Sequence, residues 1–180
     1  MTEIIDTDGT GRIYQINNLL TAEEVAVVMS TDWLSQPWHR GELQESWPRR
    51  RLDSSPHVDR ISGYINSKLR LINQLANKNF RSMDTAWWVD EPGFTVALHT
   101  DGHLPYTMQL YWEVPSDQFG TVFYHYKNVN AVRYKLESIP NHGYLMDNHS
   151  ENDFQLLHWH GMLNKVPEGK IRVSSYSIFY

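Results

Sequence analysis

Pro92-Gly-Phe-Thr-Val-Ala-Leu-His-Thr-Asp-Gly-His103 runs from a Pro-Gly turn through a β-prone stretch to two candidate ligands, His99 and Asp101. In an extended chain alternate side chains share a face, so an imidazole and a carboxylate two residues apart can converge on one ion. A His-x-Asp triplet alone is a weak signal, because a polar strand end reads the same way. It gains meaning only with a distant histidine and a cationic anchor.

Both lie near the end of the chain. Phe154-Gln-Leu-Leu-His-Trp-His160 leads into the polar turn Asn164-Lys-Val-Pro-Glu-Gly169, and the chain returns as Lys170-Ile-Arg-Val-Ser-Ser-Tyr-Ser-Ile-Phe179. An antiparallel hairpin centred near Val166 or Pro167 sets His160 opposite Arg172 or Ser174, on one face of a sheet. Two histidines and one carboxylate suit Fe(II) and leave open positions for a co-substrate and O2. The Arg172 guanidinium offers a rigid fork to a carboxylate, and the Ser174 hydroxyl adds a donor. His158 shares a strand face with His160, so parity does not separate them. We favour His160 for its place beside Gly161 and nearer the turn.

Outward from this pair of segments, short runs rich in Trp, Tyr, Phe, Val and Thr alternate with turn signals. They predict strands at 84–89, 94–99, 106–114, 120–126, 131–136, 143–146, 154–160 and 170–179. Thr21-Ala-Glu-Glu24 is a capping box that opens a short helix to about Ser30. Between His57 and Phe80 the residues Val58, Ile61, Ile65, Leu69, Ile72, Leu75 and Ala76 recur at helical spacing. The stretch 33–56 has no sustained period and reads as a long ordered loop, a lid over a site. The expected fold is mainly β with supporting helices (α+β). It is a double-stranded β-helix, a jelly-roll or cupin-like barrel at about 83–180, with N-terminal helices of about 1–82 packed on one sheet. One domain covers 1–180.

Composition narrows the classes. The 180 residues are 41% hydrophobic and 21% charged, which suits a globular chain and not a disordered one. A net charge of −5 gives no general attraction for nucleic acid or anionic membrane. The run Arg49-Arg50-Arg51 is the one basic patch and reads as a solvated surface loop. No cysteine is present, which excludes disulfides, thiolate ligands and cysteine nucleophiles. There is neither a signal-like N-terminus nor an apolar run that could span a bilayer, so a soluble, cytoplasmic protein is expected.

The sequence resembles the 2-oxoglutarate- and Fe(II)-dependent dioxygenases, and their prolyl-hydroxylase-like branch in particular. Pro92-Gly93, His99-Thr100-Asp101, Gly120-Thr121-Val122-Phe123, Trp159-His160-Gly161 and Arg172-Val173-Ser174 occur in that family's order over about 84–180. The resemblance implies that His99, Asp101 and His160 bind Fe(II). It also implies that Arg172, assisted by Ser174, holds the distal carboxylate of 2-oxoglutarate. A further donor from the strand after the first ligands would be Tyr111 or Gln109. No catalytic residue beyond the metal ligands is implied. The reaction would oxidise a C–H bond of a small-molecule or peptide substrate with O2, releasing succinate and CO2. Arg172 stands where the branch most often has Lys, which leaves the subfamily open.

Two other readings compete. A cupin-like metal enzyme without 2-oxoglutarate would use His99, His103 and His158, and a non-catalytic jelly roll would use its aromatic residues to bind ligand. Elsewhere His103 reads as a loop histidine, and His125, His142 and His149 as surface residues. Trp87, Trp88 and Trp112 read as core, and Trp159 should face away from the metal. Trp38 or Trp47 stacking on a ring has no support beyond residue type.

Overall fold

In the computed structural model the described residues are 1–7, 12–39, 48–102, 104–125, 128–148 and 158–180. His103, Trp47, His149 and most of the expected strand 154–160 lie outside them.

Among the described residues eleven strands form two sheets. They are β1 (Glu3–Asp6), β2 (Ile13–Asn17), β3 (Trp38–His39), β4 (Arg49–Leu52), β5 (Met83–Asp90), β6 (Tyr106–Tyr111), β7 (Val122–Tyr124), β8 (Val132–Lys135), β9 (His142–Asp147), β10 (Trp159–Gly161) and β11 (Arg172–Phe179). The large sheet has the order β1-β2-β9-β6-β11-β5-β4-β3 and the small one β10-β7-β8. The N-terminal part is therefore not only helical, since β1 to β4 complete both edges of the large sheet. Stretch 33–56 is likewise not one loop, for it contributes a short 3₁₀ turn at Trp33–Ser35 as well as β3 and β4.

Helix α1 (Ala22–Met29) opens on the expected capping box: the Glu24 amide donates to Thr21 Oγ1 and the Thr21 amide to Glu24 Oε2. The expected single helix over 57–80 is two, α2 (Pro56–Asn66) and α3 (Leu69–Ala76). The break falls at Ser67, whose hydroxyl donates to the Tyr64 carbonyl, a local bond of the kind that competes with helix propagation. Val58, Ile61 and Ile65 of α2 and Ile72 and Ala76 of α3 join Trp87, Val89, Leu110, Leu145, Val173 and Phe179 in one buried cluster. Trp87 and Trp112 belong to this cluster, as expected, and donate their indole N–H groups to Ser62 and Ser175.

Strand alternation sends the intervening residues to the other face of the large sheet. Trp88 and Asp90 of β5, Arg172, Ser174 and Tyr176 of β11, Gln109 and Tyr111 of β6 and Tyr144 of β9 follow this register. The small sheet covers that face, with Phe123 and Leu136 packing on Ile13, Tyr144 and Met146. A polar cavity is thus enclosed between two sheets. Gly143 permits close strand contact here, since a Cβ would stand 1.8 Å from the Gln109 carbonyl oxygen.

The predicted hairpin between His160 and Arg172 does not form. β10 pairs with β7 in the small sheet, whereas β11 lies between β5 and β6 in the large one. The reason is visible in the intended turn. Val166 is buried with Phe94 and Met162, and it exchanges backbone bonds with the 93–94 segment (Gly93 N to Val166 O 2.7 Å, Val166 N to Phe94 O 2.9 Å). The chain is held there and crosses to the other sheet. Segment 94–99, expected as a strand, instead follows 160–166 through scattered bonds and one regular bridge, His99 to His160.

Candidate metal centre

His99, Asp101 and His160 converge. Their ligand atoms lie within 4.8 Å of one another, and they are the group of this kind found among the described residues. His99 Nε2 is 3.5 Å and His160 Nε2 3.8 Å from the Asp101 carboxylate oxygens, near the ~3 Å of neighbouring donors on one ion. The two backbone bonds of the bridge, 3.0 and 2.9 Å, bring the imidazoles to a centroid separation of 4.3 Å. Gly161 allows this approach, because a Cβ there would meet the Val96 carbonyl at 2.9 Å.

The tautomers are set by backbone. His99 Nδ1 bonds the Ala97 carbonyl and His160 Nδ1 the His158 carbonyl, each at 2.9 Å. Each Nδ1 thereby donates to backbone, and Nε2 is the nitrogen that faces the carboxylate and is available to an ion once deprotonated. Tyr176 donates its hydroxyl to Asp101 Oδ2 at 2.7 Å.

The electrostatics agree with a cation site. Burial opposes the Asp101 charge, but bonds from His99 and Tyr176 and the nearby His160 hold its pKa down at about 2. Burial and the neighbouring His99 lower the pKa of His160 and favour its neutral, ligating form, although Asp101 opposes them. For His99 burial is outweighed by Asp101 and by backbone bonds, so its pKa rises.

The adjoining cavity, of about 180 Å³, extends from these three residues to Gln109, Arg172, Trp88 and Arg49. Of the four residues expected to hold an anion, Arg172 and Gln109 line it. Ser174 and Tyr111 lie behind them, fully buried: Ser174 accepts from Gln109 Nε2 at 3.2 Å, and Tyr111 pairs with Thr121 at 2.7 Å. Trp88 faces this cavity and not the helix-side core. Arg49 corrects the solvated-loop reading, because it lies directly across the sheet from Asp90, with Arg172 on the other side. Asp90, 0% exposed, takes Arg49 Nε at 2.6 Å and Arg172 Nε and Nη2 at 2.7 and 2.6 Å. Asp90, Tyr176 and Tyr144 were not singled out from sequence. A sequence signal existed for Asp90, an acid in phase with Trp88 at the end of an apolar strand.

His158 does not join the cluster. Both its ring nitrogens are buried with no hydrogen-bond partner among the described residues, and its charged surroundings are Arg12, Arg133, Asp147 and His160. Burial, then Arg12 and Arg133, push its pKa down to about 3. The unfolded chain takes up this proton near pH 6.5, so folding loses stability as pH falls from about 6.5 toward the folded value. His158→Leu, which sacrifices no hydrogen bond among the described residues, should lose less stability than the parent between pH 7.5 and 5. Urea midpoints across that range test this, and parallel slopes for the two proteins would refute it.

No family model matches the sequence, and no curated protein matches it either. Solved structures do match in shape. A prolyl-4-hydroxylase from Pseudomonas putida superposes with a TM-score of 0.60 at 16% identity, covering 94% of this chain and 92% of that one. An oxidoreductase of the 2OG-Fe(II) oxygenase family from Burkholderia pseudomallei gives 0.66 at 8% identity, covering 94% and 84%. HygX from Streptomyces hygroscopicus, solved with nickel and 2-oxoglutarate bound, gives 0.60 at 14% identity, covering 95% and 84%. At these identities the likeness is one of fold. The chain has the fold of the 2-oxoglutarate- and Fe(II)-dependent oxygenases, prolyl hydroxylases among them.

Proposed function

We propose that this protein is an Fe(II)- and 2-oxoglutarate-dependent oxygenase, built as one double-stranded β-helix domain over 1–180 with helical support on the large sheet. The observation that carries this reading is the convergence of His99 Nε2, Asp101 and His160 Nε2 at the mouth of a buried arginine-lined cavity. Two imidazoles with Nδ1 occupied and one ionised carboxylate suit Fe(II) and leave coordination positions open. When bound, Fe(II) with 2-oxoglutarate and O2 would supply oxidation of a substrate C–H bond, with succinate and CO2 as co-products.

The chain's own residues would do the rest. His99, Asp101 and His160 hold the ion, and Tyr176 fixes the Asp101 carboxylate by donating to it. Gln109 is oriented by Ser174 and also accepts from Tyr144 at 3.1 Å, so its amide is fixed at the cavity wall. With Arg172 it forms the end that attracts an anion. His99, whose side chain is 40% exposed, marks the open side where a small-molecule or peptide substrate would be presented. The cupin-like alternative loses a ligand, because His158 stands outside the cluster.

Anaerobic titration with Fe(II) and 2-oxoglutarate, followed by admission of O2, should release succinate. A protein that takes up no Fe(II), or takes it up and leaves 2-oxoglutarate intact, would sink the proposal.

A further inference from the structure

Among the described residues the two sheets present four edges, and three of them carry features that discourage pairing with another chain. β1 bears Glu3 and Asp6, β8 bears Arg133 and Lys135, and β3 is two residues long. The fourth edge is different. Segment 94–99 follows the outer side of β10 and forms the edge of the small sheet there. Its middle, Thr95-Val96-Ala97-Leu98, has neither charge nor proline.

The main chain of this edge is unused. Phe94, Val96 and His99 give their carbonyl oxygens to Val166, Met162 and His160. The N–H groups of Thr95, Val96, Ala97 and Leu98, and the carbonyl oxygens of Thr95 and Leu98, make no hydrogen bond among the described residues. Thr95 and Ala97 are exposed, whereas Val96 and His99 line the cavity. An open edge therefore leads directly to a metal ligand.

Cavity size adds a second constraint. The volume of about 180 Å³ has to hold 2-oxoglutarate, and it lies below the roughly 300–1,000 Å³ usual for small-molecule sites. That leaves room near His99 for one projecting group, with the rest of the substrate outside.

We infer that the edge 95–98 docks an extended polypeptide, which adds to the small sheet as a further strand and lays one side chain into the cavity beside Val96. An added strand lies about 4.8 Å from the edge. Its residue opposite Val96 shares the face of Val96, which is the cavity face. The residues on either side of it point to solvent, so recognition comes from main-chain bonds and one selected side chain. The fate of that side chain rests on the oxygenase reading above, whereas the docking does not.

Random dodecapeptides displayed on phage, selected on the Mn(II)-loaded full chain with 2-oxoglutarate and without O2, supply the probe. Enriched peptides are then synthesised, and their affinities are measured by fluorescence anisotropy. Methylating alternate peptide nitrogens should weaken binding about 3- to 10-fold for each hydrogen bond removed. The intervening nitrogens point away from the edge and should tolerate methylation. Thr95→Pro deletes a free N–H, and Ala97→Lys puts a charge on the edge. Each should bind the peptides about 10-fold more weakly, with Mn(II) affinity as in the parent. Should Thr95→Pro lose Mn(II), Ala97→Lys decides, since its main chain is unchanged. Three results overturn the inference: no peptide enriched over a protein-free control, tolerance of every methylation, or parental binding in the variants. A parent dimer that Ala97→Lys turns into a monomer, by sedimentation, would assign the edge to a second copy and overturn it too. A parent that takes up no Mn(II) yet binds peptides at this edge would remove the oxygenase reading and uphold the docking surface.

Discussion

Asp90→Asn is expected to destabilise the fold by about 3–5 kcal/mol, the cost of breaking a buried ion pair and stranding its partner charge. Here two partners are stranded at once. Arg172 is 1% exposed, and the Arg49 side chain is 16% exposed and faces the same closed cavity. No other acid is bonded to either guanidinium among the described residues. Urea unfolding followed by circular dichroism measures the loss. A deficit under about 1 kcal/mol, the size of a surface ion pair, would mean that both arginines are well solvated and the cavity wetter than it looks. Adding Arg49→Gln to Asp90→Asn should recover part of the stability, because one stranded charge goes with it.

His160→Ala is expected to abolish metal uptake. Loss of a direct ligand should exceed the 10- to 100-fold penalty typical of removing an outer partner of a metal ligand. Asp101→Ala should behave alike, and His158→Ala should bind Mn(II) as the parent does. That contrast separates the two histidines which strand parity left together. Mn(II) affinity by calorimetry is the readout, and equal losses in His158→Ala and His160→Ala would remove the present choice of ligand.

The convergence of His99, Asp101 and His160 was legible because its signal is chemical and partly local. His99 and Asp101 sit two apart, and His160 lies beside a glycine that the close bridge requires. Arg172 also lines the cavity beside them, although by a route other than the expected hairpin. A hairpin over 164–169 follows from a local rule, that a polar turn joins paired neighbours. Val166 answers to Phe94 and Met162 instead, and only the assembled fold shows that. Arg49 escaped for the same reason. Its partner Asp90 is 41 residues away, and a basic triplet looks like a solvated loop until the alternation of β4 is paired with β5. The polar face of the large sheet was obscured too, since Tyr144 and Tyr176 look like ordinary strand residues until the small sheet covers them.

The reciprocal backbone bonds between His99 and His160 have a consequence for how an ion arrives. Two of its donors are held in register by main chain, and the third is restrained by Tyr176. Capture therefore demands little ordering of the polypeptide, in contrast to sites that assemble only as the chain folds around the metal. Such a preformed chelate can release its ion and reload it without unfolding. Occupancy would then follow the free metal concentration at the open His99 side and not the history of folding.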